Sequence, residues 1–149
     1  MATATRFSLA TLPDRLVLFD GVCGLCNNWV DRVLREDKRG LFYFAPLQGS
    51  TAAALRDQFP ELIPDEISTV VLVDTSGLNP RIWVRSEAVL RICGNLIDSP
   101  LRRLSLLLAF PRILRDGVYR LIAASRYRIW GKRDTCRVPT AAERARFLP

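Results

Sequence analysis

The chain has no histidine among its 149 residues. That removes the usual base of Cys-His and Ser-His catalysis and the commonest metal ligand. Attachment of a c-type haem is excluded as well, because Asn27 follows Cys26. Cysteine is scarce and uneven, at positions 23, 26, 93 and 136. Four are too few for a secreted disulfide scaffold, and in a reducing compartment such spacing points to catalysis or to metal. Long apolar runs are missing too. The nearest approach, Leu104 to Phe110, is too short to span a bilayer and is followed by Pro111. The first fifteen residues hold no stretch of signal-peptide length, so the expected location is the cytoplasm. Their Ser/Thr content and lack of acids before Asp14 faintly resemble an organellar transit peptide, against the plainer reading of a frayed leader.

With 49% hydrophobic residues, the chain can bury one respectable core, and a single domain over 1–149 is expected. Its core would lie at about 15–97, with a packed helical extension at about 100–149. The charge is divided between these parts. Residues 99–149 hold 12 Lys/Arg against 3 Asp/Glu, leaving the first 98 residues slightly acidic. A basic surface can attract an acidic partner, nucleic acid or an anionic membrane. No nucleic-acid motif or interleaved aromatic series accompanies it, so nucleic acid is not expected, and a solvated arginine-rich face is the plain reading.

The chain reads as β-α-β-α-β-β-α followed by helices. Leu16 to Phe19 is a buried strand ended by Asp20-Gly21, and Leu41 to Leu47 is a second. A right-handed crossover would lay these two strands parallel. Ser50 or Thr51 can cap a short helix running through Phe59. Thr69 to Asp74 and Arg81 to Arg85 form a hairpin, and Ser86 caps a helix through about Leu96. Leu101 to Ala109, Pro111 to about Ala124 and a piece around Tyr127 to Trp130 are helical. Gly131 to Pro139 is a polar loop, and Thr140 to Glu143 fits a capping box opening a last short helix.

The stretch from Arg15 to Arg35 organises the rest. Leu25, Trp29, Val33 and Leu34 share an apolar helical face, which sets Cys23 and Cys26 at a helix N-terminus. Unpaired backbone N–H groups and the macrodipole favour a thiolate there. Cys23 is the expected nucleophile and the more exposed sulfur, and Cys26, one turn on, would resolve the mixed disulfide. Asp20 is expected first to fix the turn, and second to relay a proton when Cys26 attacks. As a carboxylate it would oppose ionisation of a nearby thiol. Gly21 and Gly24 permit a tight loop and close substrate approach, and Trp29 belongs to the core. Cys93 reads as a small buried hydrophobe. Cys136, among Lys132, Arg133 and Arg137, is either a third redox partner or a packing residue.

Element order and the Cys-x-x-Cys pair resemble a thioredoxin-like fold. The run Phe19-Asp20-Gly21-Val22-Cys23-Gly24-Leu25-Cys26-Asn27 is similar to the signature of the DCC family of predicted thiol-disulfide oxidoreductases. Further matches are Phe44 to Gln48, Val71 to Asp74, Arg126 to Arg128, Gly131 to Asp134 and Cys136. The resemblance implies disulfide exchange without a cofactor, on a disulfide-containing protein or a small thiol. One departure stands out. Thioredoxins place a cis-proline before the third strand, and here Ser68-Thr69 occupies that place. Two rivals remain: a structural zinc site made from Cys23, Cys26, Cys93 and Cys136, which lacks the second close pair of a zinc ribbon, and a non-enzymatic adaptor using the basic tail. Substrate, electron donor, reaction direction and oligomeric state are left open.

Overall fold

A computed structural model describes residues 9–66, 69–135 and 137–149. The start of the leader, Ser68 and Cys136 therefore lie outside the described residues. Strand β1, Arg15–Phe19, buries its last four residues, as a continuous apolar run does when both sheet faces are covered. It runs through a loop into α1, Gly24–Glu36. Then come β2, Tyr43–Pro46, and α2, Ser50–Gln58. The hairpin strands β3, Val71–Asp74, and β4, Arg81–Val84, lead into α3, Arg85–Asn95.

The strands form one sheet in the order β2-β1-β3-β4. β1 and β2 are parallel, with Leu16 opposite Tyr43 and Phe19 opposite Pro46. β3 lies antiparallel to β1, with Val17 opposite Leu72, and β4 antiparallel to β3. This mixed sheet within a β-α-β-α-β-β-α order is the thioredoxin-like α/β arrangement expected from the sequence. Alternate residues of β1 serve opposite cores. Val17 and Phe19 pack with Val30 and Val33 of α1 and Ala88 and Ile92 of α3. Leu16 and Leu18 pack with Ala52 and Leu55 of α2. A sheet filled on both sides fixes the end of β1, and hence the loop that follows it.

Two caps differ from expectation. Gly49 precedes α2 and Val84 precedes α3, neither with a side-chain cap. Ser86 lies inside α3, and its hydroxyl donates instead to Asp116 at 2.5 Å. A strong charged acceptor on a neighbouring helix has taken the hydroxyl that a cap would use.

The extension begins as a 3-10 segment, Pro100–Ala109, against α3. Helix α4, Arg112–Trp130, follows. It does not break near Ala124. The Ser125 hydroxyl folds back onto the Leu121 and Ile122 carbonyls, 3.0 and 3.1 Å away, so a polar residue is absorbed without ending the helix. The expected last helix is only one 3-10 turn, Arg144–Arg146, although half of the capping box is present as Thr140 N–H donates to Glu143 at 3.0 Å. Beyond it, Phe147 stacks on Phe44 at 5.4 Å and meets Phe19 edge-on at 6.3 Å.

Candidate functional site

The site grows from the end of β1. Cys23 has extended backbone and is the N-cap of α1, and its Sγ accepts the Cys26 N–H at 3.4 Å. A sulfur thus occupies the position where Ser or Asp ordinarily receives a free helical N–H. Asn27, read from the sequence as a polar-face residue, is fully buried beneath the loop. Its Nδ2 donates to the Gly21 carbonyl at 2.9 Å and the Cys23 carbonyl at 2.7 Å, which holds the loop over the helix start.

Asp20 is the hub. One carboxylate oxygen accepts the Val22 N–H at 3.1 Å, the turn-fixing bond its position implied, and Gln48 Nε2 at 2.7 Å. The other accepts the Tyr127 hydroxyl at 2.5 Å and lies 3.5 Å from Arg126 Nη2. Arg126 is itself only 8% exposed, and Asp20 is buried. A buried carboxylate demands this degree of pairing. Gln48 also accepts the Gly21 N–H at 3.1 Å, tying β2 to the same loop.

The polar loop after α4 is a strap across the cysteines. Lys132 bridges Cys23 in antiparallel fashion. Gly24 N–H donates to the Gly131 carbonyl at 3.2 Å, Arg133 N–H to Val22 at 2.7 Å and Arg137 N–H to Gly21 at 3.0 Å. Arg137 anchors the far end through Asp31, at 2.6 Å, and Glu143. A Cβ on Gly24 would sit 2.2 Å from the Trp130 carbonyl oxygen, so the close approach that this glycine permits is that of the chain's own backbone. Gly131 makes the corner at φ +78°, a conformation that glycine adopts without strain.

That cover reverses one expectation. Cys23 is wholly buried, and Cys26 is the half-buried member of the pair. The two sulfurs are not bonded to each other in the structure. Burial pushes the Cys26 thiol far above its ordinary range, as do its hydrogen bond to Cys23 and the negative charges of Cys23 and Asp20, with Arg126 opposing. Cys26 is accordingly held as a thiol that donates toward Cys23. Cys93 is buried in α3, and burial pushes it up to about 11, as expected of a packing thiol. Among the described residues, no three Cys, Asp or Glu side chains gather as a metal site would require. The fourth sulfur of the zinc alternative, Cys136, falls outside those residues. Trp29 packs against the core, and Thr69, before β3, is buried.

Sequence reasoning had given Asn27, Gln48, Arg126 and Tyr127 no role at the site. Asn27 directly follows the cysteine pair, and the other three lie in segments that carried the family resemblance. That was the available signal.

A family model described as DCC1-like thiol-disulfide oxidoreductase matches residues 17–132. The chain is 34% identical over 138 residues to the uncharacterised protein YuxK of Bacillus subtilis, covering 93% of this chain and 96% of that one. It is 39% identical over 122 residues to a chloroplastic DCC family protein of Arabidopsis thaliana, covering 81% and 67% respectively. No solved structure matches it. The matched span runs from the middle of β1 to the strap residue that bridges Cys23, and the chain belongs to the DCC1-like thiol-disulfide oxidoreductase family.

Proposed function

We propose that the chain exchanges electrons with a disulfide substrate through Cys23 and Cys26. The observation that carries this reading is the helix cap: the Cys23 sulfur receives the Cys26 N–H while Cys26 is held protonated. The two thiols are therefore unequal before any substrate arrives. The Cys23 thiolate attacks one substrate sulfur, a Cys23–substrate disulfide forms, and the substrate's S–S bond breaks. The departing thiolate takes a proton. Cys26 then loses its proton and attacks the Cys23 sulfur, and the second substrate thiolate leaves. The substrate gains two electrons and the protein becomes the Cys23–Cys26 disulfide. The reverse sequence oxidises a dithiol by the same steps.

Asp20, whose charge is felt at Cys26 and which holds the Tyr127 hydroxyl, is the group proposed to receive the Cys26 proton. Cys136 is proposed as a third redox thiol, and unchanged exchange in a Cys136→Ser variant would refute that role. The cytoplasm is the proposed location, and no helix among the described residues is long and apolar enough to cross a membrane.

The test is trapping. A Cys26→Ser variant is expected to retain its substrate on Cys23, and differential alkylation of the wild type before and after oxidation is expected to show a reversible Cys23–Cys26 disulfide. Absence of that disulfide ends the proposal. A second reading, a non-enzymatic adaptor, draws on the exposed apolar residues Leu106, Ile113 and Leu121 in the basic extension. Full biological function in a Cys23→Ser/Cys26→Ser variant would favour it.

A further inference from the structure

A cleft of about 210 Å3 opens among Glu66, Thr69, the start of α3 and one side of α4. Its lining includes Thr69, Arg85, Tyr119, Arg120, Arg126 and a single carboxylate, Glu66. It adjoins the cysteine site, for Arg126 also pairs with Asp20, and both Tyr119 and Arg126 interact electrostatically with Cys26.

Three observations mark the cleft as built for an anion. First, Arg126 is paired with Asp20, but Arg85 and Arg120 meet only Glu66 among the lining residues, a loose partner 3.8 Å from Arg85 with its side chain 65% exposed. Among the described residues Arg120 forms no ion pair at all. Second, Arg126 is more than nine-tenths buried, yet its Nε–H has no acceptor among the described residues. That nitrogen has no open surface, so it lends the cleft positive potential rather than a hydrogen bond. Third, Arg85 holds φ at +57°, the left-handed region that glycine would occupy more cheaply. A strained backbone that carries an arginine into a cleft is worth its strain when the side chain is used.

We propose that this cleft binds a carboxylate of the substrate, and that the disulfide exchanged at Cys23 and Cys26 is a low-molecular-weight one bearing carboxylate groups. The inference rests on the redox reading above and adds the substrate's chemical class. A small molecule fits better than a folded protein because the anion site is a compact cleft rather than an extended groove. Guanidinium groups pair with carboxylates in planar, two-bond geometry, which would orient such a substrate as well as hold it.

Binding and turnover are measured separately, with dithiodipropionate as the dicarboxylate probe and hydroxyethyl disulfide as its neutral counterpart. In calorimetric titrations of a Cys23→Ser/Cys26→Ser variant, which removes the chemistry, the dicarboxylate is expected to bind at least about tenfold more tightly. Added Arg120→Gln should erase most of that preference. Arg85→Gly should weaken binding too without lowering Tm, since glycine relieves the backbone while deleting the charge. Equal affinity for the two probes, or a preference untouched by Arg120→Gln, overturns the inference. With reduced wild-type protein and no added reductant, equal single-turnover second-order rate constants for the two disulfides overturn the subsite alone and leave disulfide exchange standing. Turnover of neither probe, with no reversible Cys23–Cys26 disulfide on alkylation, overturns both.

Discussion

Replacing Gly24 by alanine adds one methyl group at a place where the chain passes close to itself. The new Cβ would stand 2.2 Å from the Trp130 carbonyl oxygen and 3.1 Å from its carbon, both backbone atoms that cannot rotate away. Cβ atoms essentially never come within 3.0 Å of such a neighbour, so Trp130 and α1 must separate by nearly an ångström. The Gly24 to Gly131 bond, already 3.2 Å long, breaks first, and those of Arg133 to Val22 and Arg137 to Gly21 are next in line. At about 1 kcal/mol net for each bond, with overpacking of 1–3 kcal/mol as a second guide, the loss of stability should be about 2–4 kcal/mol. Urea unfolding should report it as a lower midpoint with an unchanged slope. A looser strap also uncovers Cys23, so its alkylation by iodoacetamide in the native state should accelerate. Gly117→Ala is the control. No atom lies within 4 Å of its Cβ, and the position is inside α4, so it should stabilise the protein by roughly 0.5–1 kcal/mol through helix propensity. If Gly24→Ala unfolds at the wild-type midpoint and its Cys23 reacts at the wild-type rate, the account of the strap is wrong.

Other outcomes follow from the same geometry. Asp20→Leu should be more harmful than Asp20→Asn, because leucine leaves Arg126, Tyr127 and Gln48 facing an apolar side chain; about 3 kcal/mol or more is expected by denaturation, against a mild slowing of exchange in the asparagine variant. Stability should fall as pH rises from about 9 toward 11. The buried Cys93 thiol is pushed up to about 11 when folded, from 9.0 in an exposed thiol, so over that window the unfolded chain has already released a proton that the native state still holds. Cys93→Ala should flatten the slope of the urea midpoint against pH in this range. Phe147→Ala, which removes the rings' contact with Phe44 and Phe19, should cost about 2–4 kcal/mol, seen as a drop in Tm.

The local parts of this architecture were legible. Leu16 to Phe19 declares a buried strand without reference to anything distant, and the spacing of Leu25, Trp29 and Val33 declares a helix, which together place the cysteines. What escaped depends on partners far away in the chain. Nothing near Asp20 announces Tyr127 or Arg126, which are 107 and 106 positions distant. Arg126 reads as one more basic residue of a helical tail until Asp20 is seen beneath it. Asn27 sits where helical spacing expects a solvent-facing residue, but loop carbonyls needed its amide. Cys23 was expected to be the open sulfur because the first thiol of such a pair ends a loop, and only the antiparallel bridge from Lys132 shows why it is closed. Gly131 to Arg137 looks like a loop in sequence because its pairing is with backbone, which leaves no pattern in side chains.

The bridge between Cys23 and Lys132 also sets an order of events during synthesis. The two residues are separated by more than a hundred positions, so a ribosome adding ~5–20 residues per second produces the cysteine pair roughly 5–20 s before its cover exists. In that interval the helix that presents the sulfurs is made, while the arginine, tyrosine and strap that enclose them are not. The nascent thiols are therefore open to whatever oxidants and thiols surround the ribosome, and the cysteine pair is enclosed only when α4 and the residues after it have emerged and docked.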